Sequence, residues 1–214
     1  MDFSLETVAL AVLPVVLAIA LHEAAHGYVA KMFGDQTAWM LGRVTLNPFK
    51  HIDPIGTVAV PGVLLLIGAP FLFGWAKPVP VNFGNLRNPK RDMIWVAGAG
   101  PLANFLMALA WAFLSTAAGP SGPWASDGLY AMAQIGVSIN LMLMVLNLIP
   151  IPPLDGGRIA VGLLPMRAAM ALARVEPYGL FAILLLIAIP GALSALLGPV
   201  YRMFAILLFA MTGA

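Results

Sequence analysis

The chain has 214 residues, 61% hydrophobic and only 9% charged, with a mean hydropathy of +0.95, a balance that excludes an ordinary soluble globular domain and places it in a membrane. The absence of cysteine excludes disulfides, thiolate catalysis and a thiolate metal site, so any metal has to be held by His, Asp or Glu. The net charge of +2 says little, but its distribution is informative: seven of the eleven Lys and Arg fall within residues 31–91 and three more within 158–174. The positive-inside rule assigns both segments to the cytoplasm, and the 119–128 connection, which has no Lys or Arg and contains Asp127, to the opposite side.

Several stretches reach the roughly 20 apolar residues needed to cross about 30 Å of hydrocarbon. Residues 1–20 carry Asp2 and Glu6 where a secretory signal has Lys or Arg, so the first helix, 6–33, reads as a retained span. Residues 37–46 and 75–82 are short and β-compatible, with Pro78 and Pro80 suiting an edge strand. Between them, 55–75 is apolar but flanked on both sides by Lys and Arg, and Pro61, Gly62, Gly68 and Pro70 would break a simple helix, which favours a re-entrant or bent hairpin over a full span. Helices follow at 93–118 and 129–149, an amphipathic stretch with Arg167 and Arg174 at 165–176 suits the cytoplasmic membrane surface, and apolar segments end the chain at 178–197 and 200–211. The expected fold is an all-α polytopic membrane protein with about five or six transmembrane or re-entrant helical segments and a small β-hairpin-like element. It forms a single domain over 1–214, with a core at about 6–165 and C-terminal helices at about 178–212.

The strongest chemical signal is His22, Glu23 and His26 in LHEAAHG. Positions four apart share a helix face, so two imidazoles can hold one zinc while Glu23 acts as base toward the bound water. Ionisable residues within an apolar helix cost about 2.5–3.5 kcal/mol each on insertion scales and seldom persist without a partner. A catalytic zinc has three protein ligands and one open position. Asp155, in NLIPIPPLDGGR where prolines must unwind the chain, is the best third ligand; alternatively it caps a helix beginning at Gly156. His51, with Lys50 and Asp53 in its loop, is either a further ligand or a loop-ordering hydrogen-bond partner, the second being favoured.

Four blocks give the chain a resemblance to the site-2 proteases, a family of intramembrane zinc metalloproteases: LHEAAHG, AGAGPLANF, NLIPIPPLDGG, and NPFKHIDPIGT followed by GWAKPVPVN. The last resembles a compact bacterial subgroup without PDZ or CBS domains, and the similarity covers about residues 15–165. It implies one zinc per chain held by His22, His26 and Asp155, Glu23 as general base, and a helix asparagine at Asn147. Asn147 and Asn140 lie two helical turns apart. Asn147 could donate to a substrate carbonyl or its oxyanion, whereas Asn140 suits interhelical hydrogen bonding, and Asn140 and His51 are the residues that could support the site from behind. Gly98 and Gly100 thin one face of the third long helix for close packing on the metal-bearing helix, with Asn104 able to bond across it.

The function so implied is zinc-dependent hydrolysis of peptide bonds within or near transmembrane segments of other membrane proteins, in a bacterial inner membrane with the metal toward the cytoplasmic side. The partners are the lipid bilayer and a transmembrane protein substrate; no nucleic-acid partner is expected, and the oligomeric state is left open. Two other readings stand beside it: a catalytically inactive homologue that binds membrane proteins, and a metal transporter, which would usually show repeated halves.

Overall fold

The computed structural model describes residues 5–67 and 74–213; Asp2, Gly68 and Pro70 lie outside them. Four helices are long and apolar enough to cross a membrane: α1 (Leu5–Met32), α4 (Pro89–Ala118), α5 (Asp127–Asn147) and α9 (Ala192–Thr212). Two shorter ones, α7 (Met166–Ala173) and α8 (Glu176–Ala188), meet at a 45° bend and would make a fifth span if taken as one. The remaining helices, α2 (Thr37–Met40), α3 (Val60–Leu66) and α6 (Asp155–Leu163), are short.

α4 is the central helix, packed on α1, α5 and α6, while α1 also packs on α5. Its buried positions include Val96, Gly100, Asn104, Ala108 and Ala112, a repeat of four that turns one narrow, small-residue stripe toward its neighbours and lets backbones approach closely. Ala108 joins Leu141, Met144, Val145 and Ile149 of α5 and its end, and Leu197 and Leu208 of α9, in the main apolar cluster. Outward, α4 presents Trp95, Leu102, Leu106 and Phe113, and α9 presents Met203, Ile206 and Phe209, all more than half exposed. Apolar residues on the outside and small or polar ones inside are the arrangement lipid demands.

Three sequence expectations are corrected. No strand forms among the described residues, so the β-hairpin-like element is absent. Thr37–Met40 is a helical turn, begun by Asp35, whose carboxylate accepts from the Thr37 N–H at 3.1 Å, and followed by Gly42 at φ 62°. Residues 75–82 form neither helix nor strand, in keeping with Pro78 and Pro80, which offer no N–H to a ladder. Near the C-terminus, the break between helices falls at Ile189–Gly191 instead of 197–200: Gly191 adopts φ 79°, which ends a helix at little cost, whereas Pro199 is accommodated inside α9.

The 55–75 segment starts as a π-helical turn, Pro54–Ala59, and continues into α3. Asp53 caps it, accepting from the N–H groups of Ile55 (2.9 Å) and Gly56 (2.7 Å). The chain then comes back to where it left: the Trp75 N–H donates to the Gly56 carbonyl at 3.1 Å and the Thr57 hydroxyl to the Trp75 carbonyl at 2.9 Å. Both ends of the segment therefore lie together.

Candidate metal centre

α1 carries His22 and His26 one turn apart, both buried, about 26 and about 32 Å along the axis from Leu5 at 1.5 Å per residue. Asp155 reaches them from the first turn of α6. The residue in the cap position of α6 is Leu154, which makes no side-chain capping bond, so the carboxylate of Asp155 is not spent on capping. It sits instead at the positive end of the helix, aimed at the histidines. α6 can start there because α5 ends against it: a Cβ on Gly156 would lie 2.2 Å from the Leu148 carbonyl oxygen, so only glycine admits this approach.

The three donor atoms form a nearly equilateral triangle. His22 Nε2 and His26 Nε2 are 3.1 Å apart, and Asp155 Oδ2 lies 3.2 Å from the first and 3.3 Å from the second. Tetrahedral zinc with bonds of about 2.0–2.1 Å separates its ligands by about 3.3–3.4 Å, so the triangle has the size of one face of such a site. The protonation pattern agrees. His26 Nδ1–H donates to the Val96 carbonyl at 2.7 Å, an acceptor only. His22 Nδ1–H donates to Asn104 Oδ1 at 2.5 Å, and Asn104 is oriented for this by its own Nδ2, which donates to Ala18 O at 3.2 Å and Asn140 Oδ1 at 3.0 Å. With both rings neutral and protonated at Nδ1, each Nε2 lone pair faces the other ring and a buried carboxylate oxygen that makes no hydrogen bond. Three converging lone pairs repel unless a cation lies between them, so the donor set fits a metal ion.

α4 supports this pair of rings at three points of its small-residue stripe, with Val96 and Asn104 taking the two Nδ1 protons and Gly100 between them. A Cβ on Gly100 would stand 2.4 Å from His26 Nε2 and 2.5 Å from His22 Cε1. Gly98, by contrast, would meet nothing within 4 Å, so the close packing expected of both glycines belongs to Gly100. Asn104 is the residue whose importance sequence reasoning understated. The available signal was an Asn four residues after a buried Gly in an otherwise apolar helix.

The triangle opens on a cavity of about 550 Å³ bounded by α1, α4, α5, α6, Ile183 of α8 and residues from the 74–83 segment. Glu23 faces it, with Oε2 accepting the Val79 N–H at 2.6 Å. Asn147 lines it near the end of α5; one of its amide N–H bonds returns to the Leu143 carbonyl at 3.0 Å. Arg158, one turn after Asp155, lines it too, 3.6 Å from Glu176 and over the Phe83 ring at 5.4 Å. Asn140, fully buried, donates to the Gly136 carbonyl at 2.9 Å and holds Asn104, so it reaches His22 through one intermediary.

His51 is not part of this donor constellation. It is buried but does not line the cavity, and no metal-binding group among the described residues includes it. Its Nε2–H donates to the Thr45 carbonyl at 2.9 Å, and its own carbonyl accepts the Lys77 N–H at 2.8 Å. Those bonds order the loop, the alternative the sequence favoured.

A family model described as Peptidase family M50 matches residues 116–190, a stretch holding Asn147 and Asp155. Over 183 residues the chain is 38% identical to a Bacillus subtilis (strain 168) protein named "Putative zinc metalloprotease YwhC", covering 84% of this chain and 80% of that protein. It is 29% identical over 180 residues to "Putative zinc metalloprotease Rip2" of Mycolicibacterium smegmatis, covering 82% of this chain and 65% of that one. The protein of the same name from Mycobacterium tuberculosis (strain H37Rv) is also 29% identical, over 192 residues, with 88% and 70% covered. No solved structure matches. With its apolar helices and this extent of identity to a relative covered over four-fifths of its length, the chain is a multi-pass integral membrane protein and belongs to peptidase family M50, the site-2 proteases.

Proposed function

We propose that the protein is a zinc-dependent endopeptidase that hydrolyses peptide bonds within or near the transmembrane segments of other membrane proteins. The observation that carries this reading is the triangle of His22, His26 and Asp155 donors, 3.1–3.3 Å on a side, opening beside a glutamate into a largely apolar cavity among membrane helices. Zinc held there supplies a Lewis acid that acidifies water and polarises a carbonyl.

The remaining chemistry belongs to this chain's own side chains. Glu23 takes the proton from the attacking water and returns it to the leaving amine, its carboxylate oriented by the Val79 N–H. Asn147 offers an amide N–H to the substrate carbonyl as negative charge develops on it. Residues 75–82 run along the cavity outside any helix, and a substrate segment that has left its helix aligns beside them. Such a segment must unwind first, because its carbonyls are otherwise tied up in helical hydrogen bonds that lipid cannot replace. The charge asymmetry of the sequence favours an orientation with residues 31–91 in the cytoplasm and the site in the cytoplasmic half of an inner membrane.

Of the two other readings, transport is disfavoured because the described residues hold no second His, Cys, Asp and Glu cluster that would continue a path for the ion. An inactive scaffold would have no use for a glutamate held at the metal face. The deciding experiment is cleavage of a transmembrane substrate by purified protein, abolished by a chelator, restored by zinc, and lost in Glu23→Gln with zinc still bound. Normal turnover by Glu23→Gln would exclude the assigned base, and metal-independent cleavage would exclude the mechanism.

A further inference from the structure

Residues 75–82 form one wall of the cavity, yet they belong to no helix or strand, and two of the eight are prolines without an N–H. Besides the bonds of Trp75 to Gly56 and Thr57 and of Lys77 to His51, two charged side chains hold this wall. At the start, Arg43 Nη2 donates to the carbonyls of Lys77 (2.9 Å) and Pro78 (3.2 Å). At the far end, the Asn82 N–H donates to Asp35 Oδ2 at 2.7 Å. Between them lies Val79, whose N–H is the partner of Glu23.

Asp35 is the tighter anchor. It is fully buried, outside any membrane-spanning helix. Its Oδ1 accepts from the Thr37 N–H (3.1 Å), the Thr37 hydroxyl (2.5 Å) and Asn85 Nδ2 (3.1 Å). Four donors thus converge on a carboxylate that accepts only, an arrangement a neutral amide cannot reproduce. Both anchors also sit on the short connection that follows α1. The helix that presents His22, Glu23 and His26 therefore runs directly into the residues that grip the opposite wall.

From this we infer that Asp35 and Arg43 are positioning residues: they set the register of residues 75–82 against α1, and so the placement of an extended substrate peptide, and of Glu23, relative to the metal face. Neither touches the reacting atoms. The inference rests on the protease reading for its substrate, but the anchoring itself does not.

The test uses the full chain in detergent or lipid, comparing wild type with Asp35→Asn, Arg43→Ala and Arg43→Lys. In Asp35→Asn the amide must face at least one of the four donors with its own NH2 group. Because a misplacement of about 1 Å can cost around a hundredfold in rate, kcat for a transmembrane substrate is expected to fall at least tenfold in Asp35→Asn and Arg43→Ala. Zinc content should stay at the wild-type value in every variant, and the melting temperature should stay there in the two Arg43 variants and fall in Asp35→Asn. Arg43→Lys, which can still reach one carbonyl, should recover part of the loss. Independently of activity, hydrogen exchange at the Lys77 and Val79 amides should accelerate at least tenfold in Asp35→Asn, although neither amide bonds to residue 35. Wild-type kcat in both loss variants, or wall amides as protected as in wild type, would overturn the inference. If Asp35→Asn does not fold, Arg43→Ala decides alone. A wild-type protein that cleaves nothing would remove the protease reading, while accelerated exchange would still support the anchoring.

Discussion

Replacing Gly100 with alanine is the sharpest probe of the centre, because the perturbation is one methyl group and its neighbours are known. The new Cβ would stand 2.4 Å from His26 Nε2, 2.5 Å from His22 Cε1 and 2.6 Å from His22 Nε2, where ordinary contact begins at 3.4 Å. Both rings must therefore retreat by about 1 Å, or α1 and α4 must separate. Ligand distances in a zinc site tolerate only about 0.2 Å. Overpacking of this kind costs about 1–3 kcal/mol, which at 1.4 kcal/mol per tenfold corresponds to roughly a 5- to 150-fold loss of zinc affinity. Gly98→Ala adds the same methyl two residues away, where nothing lies within 4 Å, and serves as the matched control. Zinc titration of both proteins against a chromogenic competing chelator, in one detergent, measures the difference. Equal affinities for Gly100→Ala and wild type would refute the geometry on which the metal site rests.

Three further outcomes follow from the same contacts. Asn104→Ala leaves the His22 ring free to turn and should weaken zinc about 10- to 100-fold, read by the same titration, with His51→Ala unchanged because that residue only orders its loop. Asn147→Ala should retain zinc but lose about 3 kcal/mol of transition-state stabilisation, near a hundredfold in kcat, measurable in single-turnover cleavage. At Asp35, burial pushes the carboxyl pKa up, but hydrogen bonds from Thr37, Asn85 and Asn82 outweigh it and hold the group below the ordinary aspartate range. A depressed folded pKa contributes stability that is full above the unfolded value and disappears as pH falls through the folded one. The melting-temperature gap between wild type and Asp35→Asn should thus be constant from pH 7 to about 5 and shrink only in stronger acid; a gap that closes near neutrality would contradict the assignment.

What could be read from the residues alone was whatever depends on local periodicity. His22 and His26 share a face because they are four apart on an uninterrupted apolar helix, and the prolines before Asp155 announce a break wherever the rest of the chain lies. The misread parts depend on partners far along the chain. Residues 75–82 have strand-like composition, but a strand exists only if another pairs with it, and here Arg43, Glu23 and Asp35 take the bonds a ladder would use. Asp35 itself, in GDQT, looks like an ordinary turn aspartate. Only the approach of Asn82 and Asn85, some fifty residues away, turns it into a buried anchor. The end of α8 was misplaced for the opposite reason: two Gly and Pro pairs, at 190–191 and 198–199, compete as breakers, and packing decides between them.

The centre also shows how a polar site can be held deep among helices without a large polar core. Each ligand's second polar atom must be satisfied, since an unpaired group there costs far more than in water. α4 meets that demand with one backbone carbonyl, one glycine and one asparagine spaced four apart, so a single helix face fixes both rings. Asn104 in turn needs partners for its own N–H groups and finds them in Ala18 of α1 and Asn140 of α5, binding three helices through four polar side chains and two carbonyls. Within the centre, Asp155 Oδ2, facing the two Nε2 atoms, is left without a hydrogen bond from protein. A cation placed between these three donors would meet the set of lone pairs, which is why the triangle suits a metal ion.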